Sequence, residues 1–249
     1  MKVSVITVVF NNKHTLKDTI DSVLQQDYAN IEYIIVDGGS TDGTIELIKS
    51  YGERICKFIS EPDNGLYDAI NKGIMLATGE VVGLLHSDDL FSNSNVISKI
   101  VAAFKDSGAD SVYGDLHYVD KEDTQKVIRN WRSGYYSKGK FERGWMPPHP
   151  TFYVKRKVYL EHGLYDTGFK SAADYELMLR LLYKVGISAN YIKDTLVHMR
   201  VGGESNRSLF NRIRANKEDH QAWIKNQLRP YFYTRLLKPL RKIHQYIFK

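Results

Sequence analysis

Apolar side chains follow two alternating rhythms along the first 85 residues. Residues 3–10, VSVITVVF, are an almost unbroken β-branched run closed by Asn11 and Asn12. Such a run predicts a strand buried on both faces, as in a parallel sheet. Leu16, Ile20, Val23 and Leu24 then recur at helical spacing with a charged back, and Thr15 stands where a capping hydroxyl is expected. Residues 31–36 repeat the strand pattern, and a turn over 37–43, DGGSTDG, leads into a short helix through Ile45 and Ile48. A strand at 56–60, a helix over 66–77, a turn at Thr78-Gly79-Glu80 and an apolar strand at 81–85 extend the alternation. This order predicts an α/β fold with a doubly wound, mostly parallel central sheet flanked by helices and joined by right-handed crossovers.

The rhythm changes after a helix carrying Val96, Ile97, Ile100, Val101 and Phe104. Short β-like pieces at 111–118 and 126–131 precede a loop rich in glycine and aromatic residues at 133–150. This half is expected to complete the sheet and to build a second wall of a cleft. A helix through Tyr175, Met178, Leu179 and Leu182, a strand at 195–201 and basic helical segments finish the chain.

Composition narrows the class. With 249 residues, 43% apolar and 26% charged, the chain is long enough for a large core and is not wholly disordered. The lone Cys56 excludes an internal disulfide framework and a cysteine cage for zinc, and fits a reducing compartment. The net charge of +6 sits in the tail: residues 229–249 hold six basic side chains and no acid, and without them 29 basic residues match 29 acidic ones. The apolar run after Met1 and Lys2 is interrupted by Thr7 and Asn11, so neither a signal peptide nor a spanning helix is expected.

In open α/β sheets ligands bind beyond the carboxyl ends of the strands, where this sequence puts Asn11 and Asn12, Asp37, and His86-Ser87-Asp88-Asp89. Asp88 and Asp89 after an apolar strand suggest a metal or ribose site, because adjacent carboxylates repel unless a ligand neutralises them; capping and solvation are the alternative. The turn at 37–44 offers an acid and glycines but neither a GxGxxG fingerprint nor a Walker lysine, so a tight turn capped by Thr41 or Asp42 competes with a ligand loop. Residues 61–73, EPDNGLYDAINKG, crowd polar groups at a helix start, where Tyr67 and Lys72 could meet a diphosphate; an ordinary helix start with Asp68 complementing the dipole is the alternative. Asp174 at the start of the later helix reads as an N-cap that is also available as a base, with Glu176 as its competitor. In the late strand, alternation points His198 and Arg200 to one face, where they could meet a metal or a diphosphate; by periodicity alone a surface position on an edge strand is the better reading. His149, between Pro148 and Pro150, is open to either a surface or a site role.

Together these pieces resemble a family 2 glycosyltransferase of the GT-A fold, in particular bacterial enzymes that build surface polysaccharides. The resemblance covers about the first 205 residues and rests on VSVITVVFNN, YIIVDGGSTDGT, EPDNGLYDAINKGIMLATGE, GLLHSDD, HPTFYVKR and AADYELMLR, in the family's order. It implies a catalytic domain over 1–205 and an inverting transfer of a sugar from a nucleoside-diphosphate sugar to a hydroxyl of a glycan or lipid-linked acceptor. By the same resemblance Asp37 reads the nucleotide base, with Thr7, Phe10 and Asn11 lining its pocket. Tyr67, Asp68, Asn71, Lys72 and Arg200 would belong to the donor site, and Asp88 would contact ribose or donor sugar. Asp89 would hold Mg2+ or Mn2+, with His198 a further ligand. Asp174 would be the general base, and Ala173 replaces the family's usual glutamate before it.

Residues 206–249 are expected to form a basic, aromatic-rich helical extension. Its composition suits an anionic membrane surface, which would put the enzyme at the inner face of the cytoplasmic membrane, or packing against the catalytic body. Nucleic acid is disfavoured because the body has no basic stripe. A sugar nucleotidyltransferase and a non-catalytic sugar-nucleotide-binding module are the competing readings. Residues Asn11-Asn12-Lys13-His14 speak against the first, since the loop lacks the glycine- and lysine-rich character such enzymes show.

Overall fold

The central strand of the parallel half is β1 (Val3–Val9), flanked by β2 (Ile31–Asp37) and β4 (Val81–Leu84), with β3 (Lys57–Ser60) outside β2. The computed structural model describes residues 1–202, 209–231, 233 and 234. All three of these strand pairings are parallel, as the β-branched runs predict. One face of β1 presents Val3, Val5 and Val9 to Leu16, Ile20 and Val23 of α1 (Lys13–Leu24). The other presents Ile6 and Val8 to Ile70 and Ile74 of α3 (Leu66–Leu76), while α2 (Thr44–Ser50) connects β2 to β3. Two apolar layers therefore enclose the sheet, which accounts for the absence of polar alternation in its strands.

The second half is mixed. It holds β5 (Asp89–Phe91), α4 (Val96–Ser107), β6 (Ser111–Val119), β7 (Val127–Trp131), α5 (Gly139–Glu142), β8 (Tyr153–Lys155) and α6 (Arg156–His162). Next come α7 (Ala173–Met178), which runs on as a π-helical segment (Leu179–Val185), β9 (Ala189–Arg200) and α8 (Leu209–Lys225). Among the described residues the sheet has nine strands, ordered β3-β2-β1-β4-β8-β6-β9-β5 with β7 on β6. β6 and β9 are parallel, whereas β5, β7 and β8 pair antiparallel with their neighbours. The connection over residues 120–126 is too short for a crossover, so β7 has to return antiparallel. β8 lies beside β4 with Tyr153 packed on Gly83: a Cβ there would lie 2.0 Å from the buried Tyr153 ring.

Thr15 lies inside α1 rather than at its cap. Its hydroxyl donates to Asn12 Oδ1 at 3.0 Å and to the Ser87 carbonyl at 2.9 Å, tying the helix to the end of β4. Helix α8 docks on α7: the Trp223 indole donates to the Tyr175 hydroxyl at 2.9 Å and Asn226 Nδ2 to Glu176 Oε1 at 2.9 Å, with Ala222 and Trp223 in the core. A helix within the extension expected after residue 205 thus packs into the same apolar core as α7. The bases expected to meet a membrane, Arg229 apart, lie outside the described residues. No helix among the described residues is long and apolar enough to cross a membrane.

Behind the cleft, Glu32 staples the amino ends of three strands. It is 3% exposed and accepts from Ser4 Oγ at 2.6 Å, from the Thr78 amide and hydroxyl at 2.7 Å each, and from Lys2 and Lys57 at 3.0 and 3.2 Å. Burial pushes its carboxyl up, but the hydrogen bonds from Ser4, Thr78 and Lys2 outweigh burial and hold it well below the carboxylate range. A depressed folded-state pKa stabilises above the unfolded value and loses that contribution as pH falls through the folded one. Glu32→Gln should therefore cost about 1.5–3 kcal/mol in urea unfolding at pH 7. Its deficit against the parent should shrink as pH drops below about 4.

Candidate active site

The cleft forms where the carboxyl ends of β1 to β4 open, and two asparagines after β1 tie its loops together. Asn11, with φ of 46°, donates its amide to Ser40 Oγ at 2.7 Å and accepts from the Thr41 amide at 2.8 Å. Asn12 Nδ2 reaches Ser87, 3.0 Å from its hydroxyl and 3.3 Å from its carbonyl. The side chain expected to line a base pocket at Asn11 is thus engaged in holding the turn after β2. Asp42 does cap that turn, accepting from the Thr44 amide at 3.0 Å.

Asp37, at the end of β2, is fully buried. Its Oδ2 accepts from the Gly39 and Ser40 amides at 3.0 Å each and from Ser60 Oγ at 2.7 Å, while Oδ1 has no hydrogen-bond partner. A buried acceptor left open beside a cleft is suited to a ligand donor. Phe10 is 62% exposed and lies against Gly38, where a Cβ would sit 2.5 Å from Asp63 and 3.4 Å from the Phe10 ring. Thr7 is placed differently from expectation. Strand alternation turns it into the α1 layer, fully buried, where it shares a 3.1 Å hydrogen bond with the Tyr33 hydroxyl.

After β4 the chain turns through residues 86–89. Asp88 is half-buried, and Asp89 is fully buried with neither carboxylate oxygen in a hydrogen bond of ordinary geometry. Burial and the neighbouring Asp88 raise the Asp89 pKa well above the usual range, against a smaller opposing pull from Arg200. Arg200 itself is 5% exposed, and all three of its nitrogens are engaged: Nε with the Lys121 carbonyl at 3.1 Å, Nη1 with the Asp88 carbonyl at 2.9 Å and Nη2 with Asp18 at 2.5 Å. It clamps the Asp88 backbone rather than offering a free cation to a diphosphate. His198 pairs with Leu90 across β5 and β9, whereas Asp89 pairs with Met199, so the two expected metal ligands fall on opposite faces of the sheet. His198 stacks instead on His117, ring centroids 5.5 Å apart. No cluster of three or more histidine, cysteine or acidic side chains able to hold a metal occurs among the described residues.

A chain of polar groups crosses the cleft wall. His86 Nε2 lies 3.0 Å from His149 Nε2, and His149 Nδ1 lies 3.3 Å from Asp174 Oδ2. With Nδ1 protonated toward the carboxylate, His149 Nε2 becomes an acceptor and His86 its donor. Asp174 is the second residue of α7 and not its N-cap, and its Oδ1 is 3.5 Å from the Tyr67 hydroxyl. Glu176 is 3% exposed and held by Arg180 at 2.9 and 3.1 Å and by Asn226, so its carboxylate is engaged within the fold. Ala173 is fully buried in the apolar layer.

The other side chains expected on α3 mostly shape the wall. Asn71 clasps the backbone of Tyr165 in both directions, at 2.8 and 3.0 Å, and Tyr67 stacks on Tyr165. Asp68 accepts from the Asn64 amide at 3.0 Å, and Lys72 pairs with Glu61 at 2.9 Å.

A family model described as glycosyl transferase family 2 matches residues 4–163, more than half of the chain. The chain belongs to glycosyl transferase family 2. An uncharacterised glycosyltransferase of Mycobacterium tuberculosis is 35% identical over 183 residues, which are 72% of this chain and 68% of that protein. A PGL/p-HBAD biosynthesis glycosyltransferase of Mycobacterium bovis is 26% identical over 214 residues, 82% of this chain and 78% of its own length. Among solved structures, S. aureus TarS 1–349 in complex with UDP-GlcNAc superposes with a TM-score of 0.70 at 16% identity, over 91% of this chain and 65% of that one. Mannosyltransferase PcManGT of Pyrobaculum calidifontis, in complex with GDP-Man and Mn2+, gives 0.69 at 19% identity, over 98% and 70%. A further S. aureus TarS structure is matched over 41% of its chain. These likenesses establish the GT-A fold.

Within this family 2 glycosyltransferase, the pairing of His86 and His149 with Asp174 is the feature that sequence reasoning missed. The signal available was a histidine directly ahead of Ser87-Asp88-Asp89 and another fixed between prolines. Burial, and for His86 also its neighbour His149, lowers both pKa values to about 4. Both rings should therefore stay neutral through pH 6.5, the ordinary midpoint for histidine. Their Cε1 proton shifts in an NMR titration should inflect near 4; an inflection at 6–7 would contradict the enclosed arrangement.

Proposed function

We propose that this glycosyltransferase inverts configuration, moving a sugar from a nucleoside-diphosphate sugar to a hydroxyl of a glycan or lipid-linked acceptor in bacterial surface-polysaccharide biosynthesis. The observation that carries the reading is the Asp174 carboxylate, 20% exposed and oriented by His149, beside a His86 ring that feels both Asp174 and Asp88. Asp174 takes the acceptor proton as the acceptor oxygen attacks the anomeric carbon. His149 Nδ1–H fixes the carboxylate, and His86 links that pair to the turn bearing Asp88. One base is enough for inversion, and a nucleoside diphosphate leaves without the proton that a sugar alkoxide would need.

On the donor side, Asp37 Oδ1 is the open acceptor for a base N–H and Phe10 the exposed ring beside it, with Asp88 toward ribose or sugar. The donors named for the structural neighbours, UDP-GlcNAc and GDP-Man, support a nucleotide sugar here. The unpartnered Asp89 oxygens next to Asp88 fit a carboxylate arm for Mg2+ or Mn2+, while His198 does not fit. Bound there, the cation would neutralise the charge that builds on the departing diphosphate. A lipid-linked acceptor would put the reaction at the cytoplasmic face of the membrane, where the basic sequence of the tail suits anionic lipid.

Asp174→Asn should lower kcat by about 10²–10⁴-fold while leaving the donor KM nearly unchanged. A parallel loss of donor binding would contradict its role as base. Asp89→Asn should weaken UDP or GDP binding in Mn2+ by about tenfold or more in calorimetry, with little change in metal-free buffer.

A further inference from the structure

The later half of the sheet carries a second concavity. It is a cavity of about 320 Å3 over β6, β7 and β9, bordered by Asp115, His117, Asn130, Arg132, Tyr191 and Lys193. The register of β6 on β9 shifts on both sides of Asp115, and such irregularities re-aim side chains out of the regular alternation. Asp115 is held in place there: the Tyr191 hydroxyl lies 2.8 and 2.9 Å from its two oxygens and the Ser133 amide donates to Oδ1 at 2.7 Å. Asn130 Oδ1 is buried without a hydrogen-bond partner, an arrangement that calls for a ligand donor. Arg132 and Lys193 form no ion pair among the described residues, and the Thr195 hydroxyl lies 3.1 Å from His117 Nε2. Asp194, the other acid at the border, is paired with Lys99 at 2.5 Å.

We infer that this cavity is a carbohydrate subsite that holds a neutral pyranose ring of the acceptor, one or more residues from the hydroxyl that is glycosylated. A pyranose presents both donors and acceptors around a compact ring, and the border offers both kinds at fixed positions. The volume is at the low end of about 300–1,000 Å3 for small-molecule sites, which suits a single ring. Asp115, fixed at the border by Tyr191 and Ser133, would repel a phosphate, so an uncharged sugar fits better than an anion. The site is also joined to the catalytic wall. The Gly114 carbonyl, next to Asp115, accepts from Ser133 Oγ at 2.6 Å and from Thr151 Oγ1 at 3.1 Å, and Thr151 shares a helical turn with His149. An acceptor seated over Asp115 would therefore be sensed by the turn that orients Asp174.

The inference rests on the transferase reading, and one experiment separates the two. Saturation-transfer NMR of the full chain with UDP and Mn2+ is run against methyl glycosides of glucose, galactose, mannose and N-acetylglucosamine. At least one glycoside should receive saturation. Asn130→Ala and the exposed Arg132→Ala should each weaken it by about tenfold, with UDP affinity and melting temperature unchanged. Equal sugar binding in both variants, or no glycoside signal while UDP binds, would overturn the subsite. Failure of the parent chain to bind UDP or GDP at all would contradict the transferase reading, and with it the acceptor role given to the cavity.

Discussion

Two loops of the cleft depend on what is fastened to the carboxyl end of β1. Asn11 fixes the turn after β2 through Ser40 and Thr41, and Asn12 fixes the turn after β4 through Ser87. Loops that bind ligands are usually the mobile part of an α/β fold, and short amide hydrogen bonds at the central strand are what limit that motion here. Asn11 can take its left-handed backbone because asparagine tolerates it better than most residues. The strand beneath is locked by apolar layers on both faces, so the two asparagines inherit a rigid base.

On that base the chain concentrates buried polar groups of two kinds. Glu32, behind the cleft, is fully satisfied and serves the sheet. Asp37 and Asp89, at the strand ends, are buried with oxygens left open. An unsatisfied buried acceptor costs on the order of 1–3 kcal/mol, and such groups concentrate where a ligand completes them. The histidine pair belongs between these classes: half-buried and hydrogen-bonded, it holds Asp174 without adding a second charge.

Much of this was legible in the residues. The continuous β-branched runs marked strands covered on both faces, and the polar clusters at their ends marked the cleft. Strands β5 and β8 were not legible because three residues carry no period, and their pairing is decided by distant partners. Thr7 was misplaced because a strand read without its faces gives no account of which way a side chain points. Arg200 and Asn71 look like ligand groups in sequence, yet both are engaged with backbone carbonyls that only the folded chain brings near. Glu176 and Asp174 stand two residues apart on one helix, and only the fold shows that Glu176 is held by Arg180 and Asn226 while Asp174 faces His149 and Tyr67.

The central claim is that one carboxylate, Asp174, drives a single displacement at the anomeric carbon. The most direct measurement is proton NMR of any sugar released when the protein is incubated without acceptor with a panel of nucleotide sugars, UDP-GlcNAc and GDP-mannose among them, recorded before mutarotation. The account predicts that the anomer formed first has the configuration opposite to that in the donor. First release of the donor's own anomer would require a covalent or double-displacement route and would contradict it.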